Sequence, residues 1–275
     1  DRIPPSAAVN EGVKLAKKLF NPGVAGLING VLRGYLREPG KVKWPDPEQD
    51  PLSYLEIVHS HPRWMVQRWL DRYGLEHTIK ICEFNNRPAD LWIRTNTLRV
   101  ERDKLAGILE QEGCKTEKSR RVPEGLKLLE APPLGSLASF AQGLFTVQDE
   151  SSMLAAHALS PRPGSRVLDV CAGPGGKTSH LAQLMDNQGL IVACDVHEHR
   201  LRLISETAGR LGIKIVSTRL QDATKLDPAE TGQYPYILVD APCSGLGVLR
   251  RRPDSRWRKK PEDIPALAAL QQEIL

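Results

Sequence analysis

Apolar residues recur at helical spacing through the N-terminal part of the chain. Ser6 is placed to cap a helix in which Val9, Val13, Ala16 and Phe20 share one face, and Asn21-Pro22-Gly23 ends it. Val24–Leu36 forms a second helical run that stops before Glu38-Pro39-Gly40, and the proline- and charge-rich stretch Lys41–Pro51 reads as a loop. A third helix, His61–Tyr73, carries Trp64, Val66 and Leu70 and stops at Gly74. Beyond it the pattern becomes mixed. Ile79–Arg87 is short and helical, Leu91–Asn96 reads as a strand, and Val100–Glu112 as an amphipathic helix capped through Thr97 or a neighbour. Gly125–Leu129 and Phe145–Val147 complete this stretch as short strands. From residue 146 onward strands and helices alternate. Helix Ser151–Leu159 leads to strand Val167–Val170, a helix from Lys177, strand Leu190–Val196, helix Glu198–Leu211, and strands Ile213–Thr218 and Tyr236–Asp240. Such alternation predicts an α/β region with a parallel sheet. Three regions are therefore expected: helical over 1–73, a small α+β linking unit over 74–145, and α/β over 146–275.

The α/β region holds the chemistry. Strand Val167–Val170 runs into Cys171-Ala172-Gly173-Pro174-Gly175-Gly176, and a helix follows from Lys177. Glycines let backbone approach a ligand closely, and the helix N-terminus presents unpaired N–H groups, so this turn predicts a nucleotide site. Three ligand classes compete for it. A P-loop needs glycine where Cys171 stands. A dinucleotide fingerprint needs glycine or alanine where Thr178 stands. The third class is S-adenosylmethionine, with Asp169 near the cationic end of the cofactor.

Carboxylates at the other strand ends extend the pattern. Asp195 lies about 20 residues past the glycines, where a carboxylate suits a ribose diol. Asp222 follows the third strand and can accept from the adenine amine or cap a helix. Asp240 leads directly into Ala241-Pro242-Cys243-Ser244-Gly245. Ligands on open parallel sheets collect at the strands' carboxyl ends, so all four aspartates are expected along one edge. A hydride-transferring enzyme has no evident use for the Asp-Ala-Pro-Cys turn. This ranks a methyltransferase above a NAD-dependent oxidoreductase.

Composition narrows the setting. With 40% hydrophobic and 26% charged residues the chain is an ordinary globular one. No apolar run approaches the roughly 18 residues of a membrane span, and no signal-peptide layout opens the sequence, so a cytoplasmic protein with no membrane partner is expected. Cys82, Cys114, Cys171, Cys194 and Cys243 show no C-x-x-C spacing and predict free thiols in a reducing compartment. His59 and His61 form no ligand set, and no metal is expected. The net charge of +5 mildly favours a nucleic-acid partner, and the basic stretch Arg250–Lys260 localises that signal. Arg250, Arg251 and Arg252 lie beside the presumed substrate pocket as candidate phosphate contacts, with Trp257 as a stacking platform or a core anchor. Trp44, Trp64 and Trp69 could stack on RNA bases but are assigned to the helical core, and Arg94 and Asn96 could touch RNA but are assigned to structure. The sequence opens on Asp1 and its last residues fall within a helical pattern, so it is expected to be a piece of a longer polypeptide.

With the glycine turn and Asp240–Gly245 taken together, the chain resembles the RsmB/Nop2 (Sun/Fmu) family of RNA cytosine-5 methyltransferases. Val147–Ser152, Arg251-Arg252-Pro253-Asp254 with Trp257, and Asp263-Ile264-Pro265 through Gln271 are also similar to segments of that family. Ser6–Glu11 and Val24–Leu36 resemble the latter part of a NusB-like RNA-binding domain. The resemblance implies a Rossmann-like α/β methyltransferase domain with its C-terminal strands missing, preceded by the α+β unit and part of the NusB-like domain. It implies S-adenosylmethionine as cofactor, small-subunit (16S) ribosomal RNA as substrate, and methylation of cytosine C5 through a covalent cysteine–C6 adduct. Cofactor contacts are implied at Cys171, Ala172, Gly173, Pro174, Gly175, Gly176 and Lys177, and at Asp195, Asp222 and Asp240. Asp240 and Pro242 are expected to hold the base, which must leave its stack to reach the pocket.

Two readings meet at Cys243. Its place at the strand edge nominates it as the nucleophile. The family attacks instead with a second cysteine in a Thr-Cys-Ser after the next strand, and uses the Pro-Cys cysteine for product release. That motif is absent up to Leu275, which implies release for Cys243 and a nucleophile on later sequence. The remaining alternative is a fragment that binds RNA or cofactor without activity.

Overall fold

The computed structural model describes residues 3–225 and 228–275, in two compact units, Asp1–Asn86 and Arg87–Leu275. The first is helical. Helix α1 (Pro5–Leu19) packs against α2 (Pro22–Arg37), burying Val9, Ala16 and Ala25. Ser6 does not cap α1. Pro5 occupies the first helical turn, where its fixed φ suits the helix and its missing N–H costs nothing, so Ser6 falls inside it. Phe20 leaves the helix in an extended conformation and is exposed rather than part of the buried face. Asn21 caps α2 by accepting from the Val24 N–H at 3.1 Å.

A helix absent from the sequence reading, α3 (Pro51–Ile57), begins where the Asp50 carboxylate accepts from the Ser53 N–H at 3.0 Å. The Asp-Pro pair announced it, as cap and first helical residue. Helix α4 (Arg63–Asn86) is broken at Gly74, whose φ of 72° lies outside the helical range and separates the two predicted pieces. Leu55, Val66 and Cys82 form this core, with Trp69 packed on it and edge-on to His61. Trp64 is half-buried, but Trp44 is 54% exposed and lies outside the core assigned to it.

The second unit begins with an antiparallel sheet of order β2-β3-β1-β4: β1 (Leu91–Thr95), β2 (Lys115–Lys118), β3 (Gly125–Glu130) and β4 (Phe145–Val147). Helix α5 (Arg102–Gln111) crosses from β1 to β2 and packs Leu105 and Leu109 against Ile93, Leu126 and Phe145. Thr97 does not cap it; the cap position is Glu101, and Asn96 instead closes the preceding turn by accepting from the Leu98 N–H. Strand β2, Lys-Thr-Glu-Lys, has no apolar residue to announce it and is held by pairing with β3. A single turn, α6 (Ala138–Ala141), precedes β4.

Alternating elements follow: α7 (Glu150–Leu159), β5 (Arg166–Asp169), α8 (Gly176–Leu184), β6 (Leu190–Asp195), α9 (Glu198–Leu211), β7 (Val216–Leu220), β8 (Tyr236–Leu238) and α10 (Asp263–Ile274). The strands form a parallel sheet of order β7-β6-β5-β8. This is the Rossmann-like arrangement expected. Val167, Leu181, Met185, Ile191 and Leu211 fill the core on one face. Strand β7 starts three residues later than the predicted strand, because the Ile213 N–H still bonds the last turn of α9.

Two buried polar residues join the antiparallel sheet to the parallel one. Arg94 on β1 is fully buried, donating to Gln183 Oε1 at 2.7 Å, Ser179 Oγ at 2.8 Å and the Gly176 carbonyl at 2.8 Å, with a further bond to Gln148. Asn96 donates to the Gly143 and Leu211 carbonyls and accepts from Gln183 Nε2.

Candidate active site

The chain leaves β5 toward β6 and β7 on one side of the sheet, then returns to place β8 on the other. Outside the carboxyl ends of β5 and β8 the order reverses, and such switch points open a crevice. A cavity of about 180 Å³ lies there, lined by Cys171, Ala172, Gly173, Pro174, Gly176 and Lys177, by Asp169 and Asp240, and by Gln148, Asp149 and Ser152. The last three, at the start of α7, were not among the predicted site residues. Their signal was the polar run Gln148–Ser152 between two apolar segments.

Local sequence explains the shape of the wall. Gly175, at φ 99°, is the residue before α8; a Cβ there would sit 3.1 Å from the Ile204 backbone. At Gly173 a Cβ would run into the Asp195 carboxylate and lie 2.7 Å from Arg200 Cδ. These glycines let the turn pack against α9 while leaving the other face open.

Each carboxylate has a distinct setting. Asp169 is buried; its Oδ2 accepts from Thr178 Oγ1 at 2.7 Å, and its Oδ1 has no hydrogen-bond partner among the described residues. Burial raises its pKa to about 6, with the nearby Asp240 charge adding to the effect. Asp195 Oδ2 accepts from the Gly173 N–H at 3.1 Å and Oδ1 from the His197 N–H at 2.9 Å, with Arg200 at 3.6 Å. Asp240 pairs with Lys177 across the cavity mouth. Asp222 lies beyond the cavity lining, one residue past Gln221, whose N–H bonds the Asp195 carbonyl. Its carboxylate is held below the usual range by the Thr224 hydroxyl and N–H.

The cysteines divide by exposure. Cys171 is half-buried, and burial together with Asp169, Asp195 and Asp240 pushes its thiol up to about 11. Burial does the same to Cys194, also to about 11, and Cys82 and Cys114 are buried. Cys243 is exposed in the turn after β8, where the preceding Pro242 carbonyl accepts from Gln271 Nε2 of α10 at 2.8 Å.

The predicted RNA residues lie on the next segment. Arg250 and Arg251 bond partners within the protein at its surface, Arg250 the Arg87 and Pro88 carbonyls and Arg251 the Asp149 carboxylate. Arg252 is exposed, and Trp257 is 55% exposed. A larger cavity, about 340 Å³, lies beside β8 against Ile237, Val239 and the end of α10 and holds none of the predicted site residues.

One buried polar cluster lies apart from the crevice. Glu124 Oε1 is 2.8 Å from His157 Nε2 and 2.5 Å from His180 Nε2, a set with metal-ligand atom types. Burial keeps His180 neutral, lowering its pKa to about 4, and the Glu124 charge is felt by the buried Arg94. Glu124 thus bridges a histidine of α7 and one of α8, within electrostatic reach of the buried Arg94.

Comparison with known proteins identifies the family. The family model for 16S rRNA methyltransferase RsmB/F matches residues 156–275, that for the RsmF/B-like ferredoxin-like domain matches 61–134, and the NusB family matches 1–37. The probable ribosomal RNA small subunit methyltransferase B of Bacillus subtilis is 42% identical over 276 residues, covering 100% of this chain and 61% of that protein. The chain thus spans about three fifths of the length of that curated relative. Among solved structures, a methyltransferase homolog protein from Pyrococcus horikoshii superposes with a TM-score of 0.68 at 32% identity, covering 80% of this chain and 69% of that one. NSun6 from the same organism, solved with SFG, gives a TM-score of 0.71 at 27% identity over 79% of each chain. The glycine turn, the parallel sheet and these matches place the chain in the RsmB/F methyltransferase family.

Proposed function

We propose that this chain forms the cofactor- and base-binding part of an S-adenosylmethionine-dependent RNA cytosine-5 methyltransferase that acts on small-subunit ribosomal RNA in the cytoplasm. One observation carries the reading: a buried carboxylate with an unpartnered oxygen, Asp169, lines a glycine-walled cavity at the switch point of a parallel sheet. A buried carboxylate oxygen without a partner is costly, and a cationic ligand group offsets the cost. The residues fit the cofactor. Asp169 suits its amino or sulfonium end, Asp195 a ribose diol, Asp222 the adenine amine, and the Cys171–Gly176 turn gives close backbone approach. When bound, S-adenosylmethionine supplies an electrophilic methyl group.

Asp240 has the position to accept from the cytosine amine, and its pairing with Lys177 fixes the carboxylate at the cavity mouth. Pro242 stiffens the turn that presents it. Cys243 is the exposed thiol beside this turn. We assign it to product release, with attack on C6 by a thiol outside residues 1–275, as the family resemblance implies. Arg252 and Trp257 are exposed members of the basic segment, suited to a phosphate and an unstacked base.

Methyl transfer from labelled cofactor to unmethylated small-subunit rRNA, with base analysis, tests the reading. Calorimetric binding of S-adenosylmethionine with 5-methylcytosine in the RNA product of the full-length protein is the expected result. Binding of NAD in place of S-adenosylmethionine would overturn it. Trapping on 5-fluorocytosine RNA tests the cysteine assignment, which fails if the covalent adduct of the unmutated full-length enzyme maps to Cys243.

A further inference from the structure

The arginine run after the Asp240 turn looks from sequence like an RNA contact, yet its first two members, half-buried Arg250 and surface-exposed Arg251, are committed to partners within the protein. Arg251 Nε donates to Asp149 Oδ2 at 2.9 Å, and a terminal guanidinium nitrogen bonds Asp149 Oδ1 and the Asp90 carbonyl, the latter at 2.8 Å. This is a two-pronged guanidinium–carboxylate pair, the geometry in which arginine fixes orientation as well as charge. Asp149 lines the cavity described above and precedes α7. Arg250 donates to the Arg87 and Pro88 carbonyls, and Asp90 is tied in turn to Lys127 of β3 at 2.8 Å. The segment leaving β8 is therefore held at two places: at Pro242 by Gln271, and at Arg250–Arg251 by the cavity wall and the approach to β1. Between them lies the turn that carries Cys243.

We propose that Arg251 is a positioning residue that, by gripping Asp149 and the Asp90 carbonyl, locks the Pro242–Cys243 segment to the wall of the cofactor cavity, and that it is not a phosphate contact. A guanidinium whose fork is committed to a carboxylate can meet a phosphate only by giving that pair up. The adjacent Arg252, exposed, is left as the residue for RNA. What Arg251 positions rests on the methyltransferase reading; the clamp itself does not.

The test compares Arg251→Lys with Arg251→Ala in the full-length protein. Lysine keeps the charge a phosphate would need but lacks the fork, so the two roles predict opposite behaviour. Amide hydrogen exchange over residues 241–252 of the ligand-free protein is expected to accelerate in both variants. S-adenosylmethionine affinity, read by calorimetry, is expected to fall about tenfold in both. Asp149→Asn should do the same, and combining it with Arg251→Ala should add little, as for residues that act as a pair. The slope of log affinity for rRNA against log salt should stay unchanged in Arg251→Ala and fall by about one in Arg252→Ala. The clamp is refuted if Arg251→Lys exchanges like the unmodified protein, or if Arg251→Ala lowers the salt slope while cofactor affinity holds. Should the unmodified protein bind no S-adenosylmethionine while exchange still accelerates in Arg251→Lys, the methyltransferase reading fails and the clamp stands.

Discussion

Asp195 Oδ2 accepts a hydrogen bond from the Gly173 N–H at 3.1 Å, joining the end of β6 to the glycine turn that follows β5. The bond works only because position 173 has no side chain. A methyl group there would occupy the space of that same carboxylate and of Arg200. Gly173→Ala is therefore expected to push Asp195 out of place and cut S-adenosylmethionine affinity by more than about tenfold. Isothermal titration checks this; affinity within twofold of the unmodified protein would show that the turn tolerates a side chain.

Asp169 sets a pH dependence of known sign. Its pKa is raised to about 6 by burial, above the unfolded value of 3.8, so the ionised carboxylate destabilises the fold. That penalty is absent below the unfolded pKa, grows as pH rises through the interval, and is complete above about 6. It amounts to about 3 kcal/mol. Asp169→Asn should accordingly stabilise the ligand-free protein at pH 7.5, with the gain fading toward pH 4 in urea titrations. The same substitution removes the charge proposed to face the cofactor. Affinity for S-adenosylmethionine in the unmodified protein should rise between about pH 5 and 7 and lose that rise in Asp169→Asn.

Arg94 gives a contrasting case, a buried charge whose loss is expected to be expensive. It donates to the Gly176 carbonyl at the start of α8 and to Ser179 and Gln183 within it, so it anchors the helix that frames the cavity. Removing it strands those acceptors in the interior. Arg94→Ala should cost about 3–5 kcal/mol, and Arg94→Lys should recover little of it because an ammonium cannot span the same set. Chemical denaturation monitored by tryptophan fluorescence measures both.

The strand ends were legible in the sequence because these strands read as short apolar runs, and an aspartate closing such a run stands out. Asp169, Asp195 and Asp240 were found that way, and the structure puts the first and last in one cavity wall with the second beside it. Strand β2 was not legible, since its register comes from pairing with β3 rather than from its own residues. Arg94 was legible as structural, but not as the link to α8, because its partners lie 82 to 89 residues away. The tie between Arg251 and Asp149 was hidden in a similar way, because Asp149 sits 102 residues earlier.

Lys177 separates stability from function. Its ammonium pairs with Asp240 at the cavity mouth, where the Asp240 side chain is 53% exposed. A pair so open to water contributes only about 0–1 kcal/mol, so Lys177→Met should leave the denaturation midpoint nearly unchanged. Its effect on methyl transfer should be far larger. Without the lysine the Asp240 carboxylate loses its orientation, and a charged group must be fixed in advance to stabilise a reacting base. A fall of about a hundredfold in kcat, with S-adenosylmethionine affinity changed only a few-fold, is the expected pattern. If affinity falls by as much as kcat does, Lys177 serves cofactor binding, and the orientation of Asp240 must come from the Pro242 turn alone.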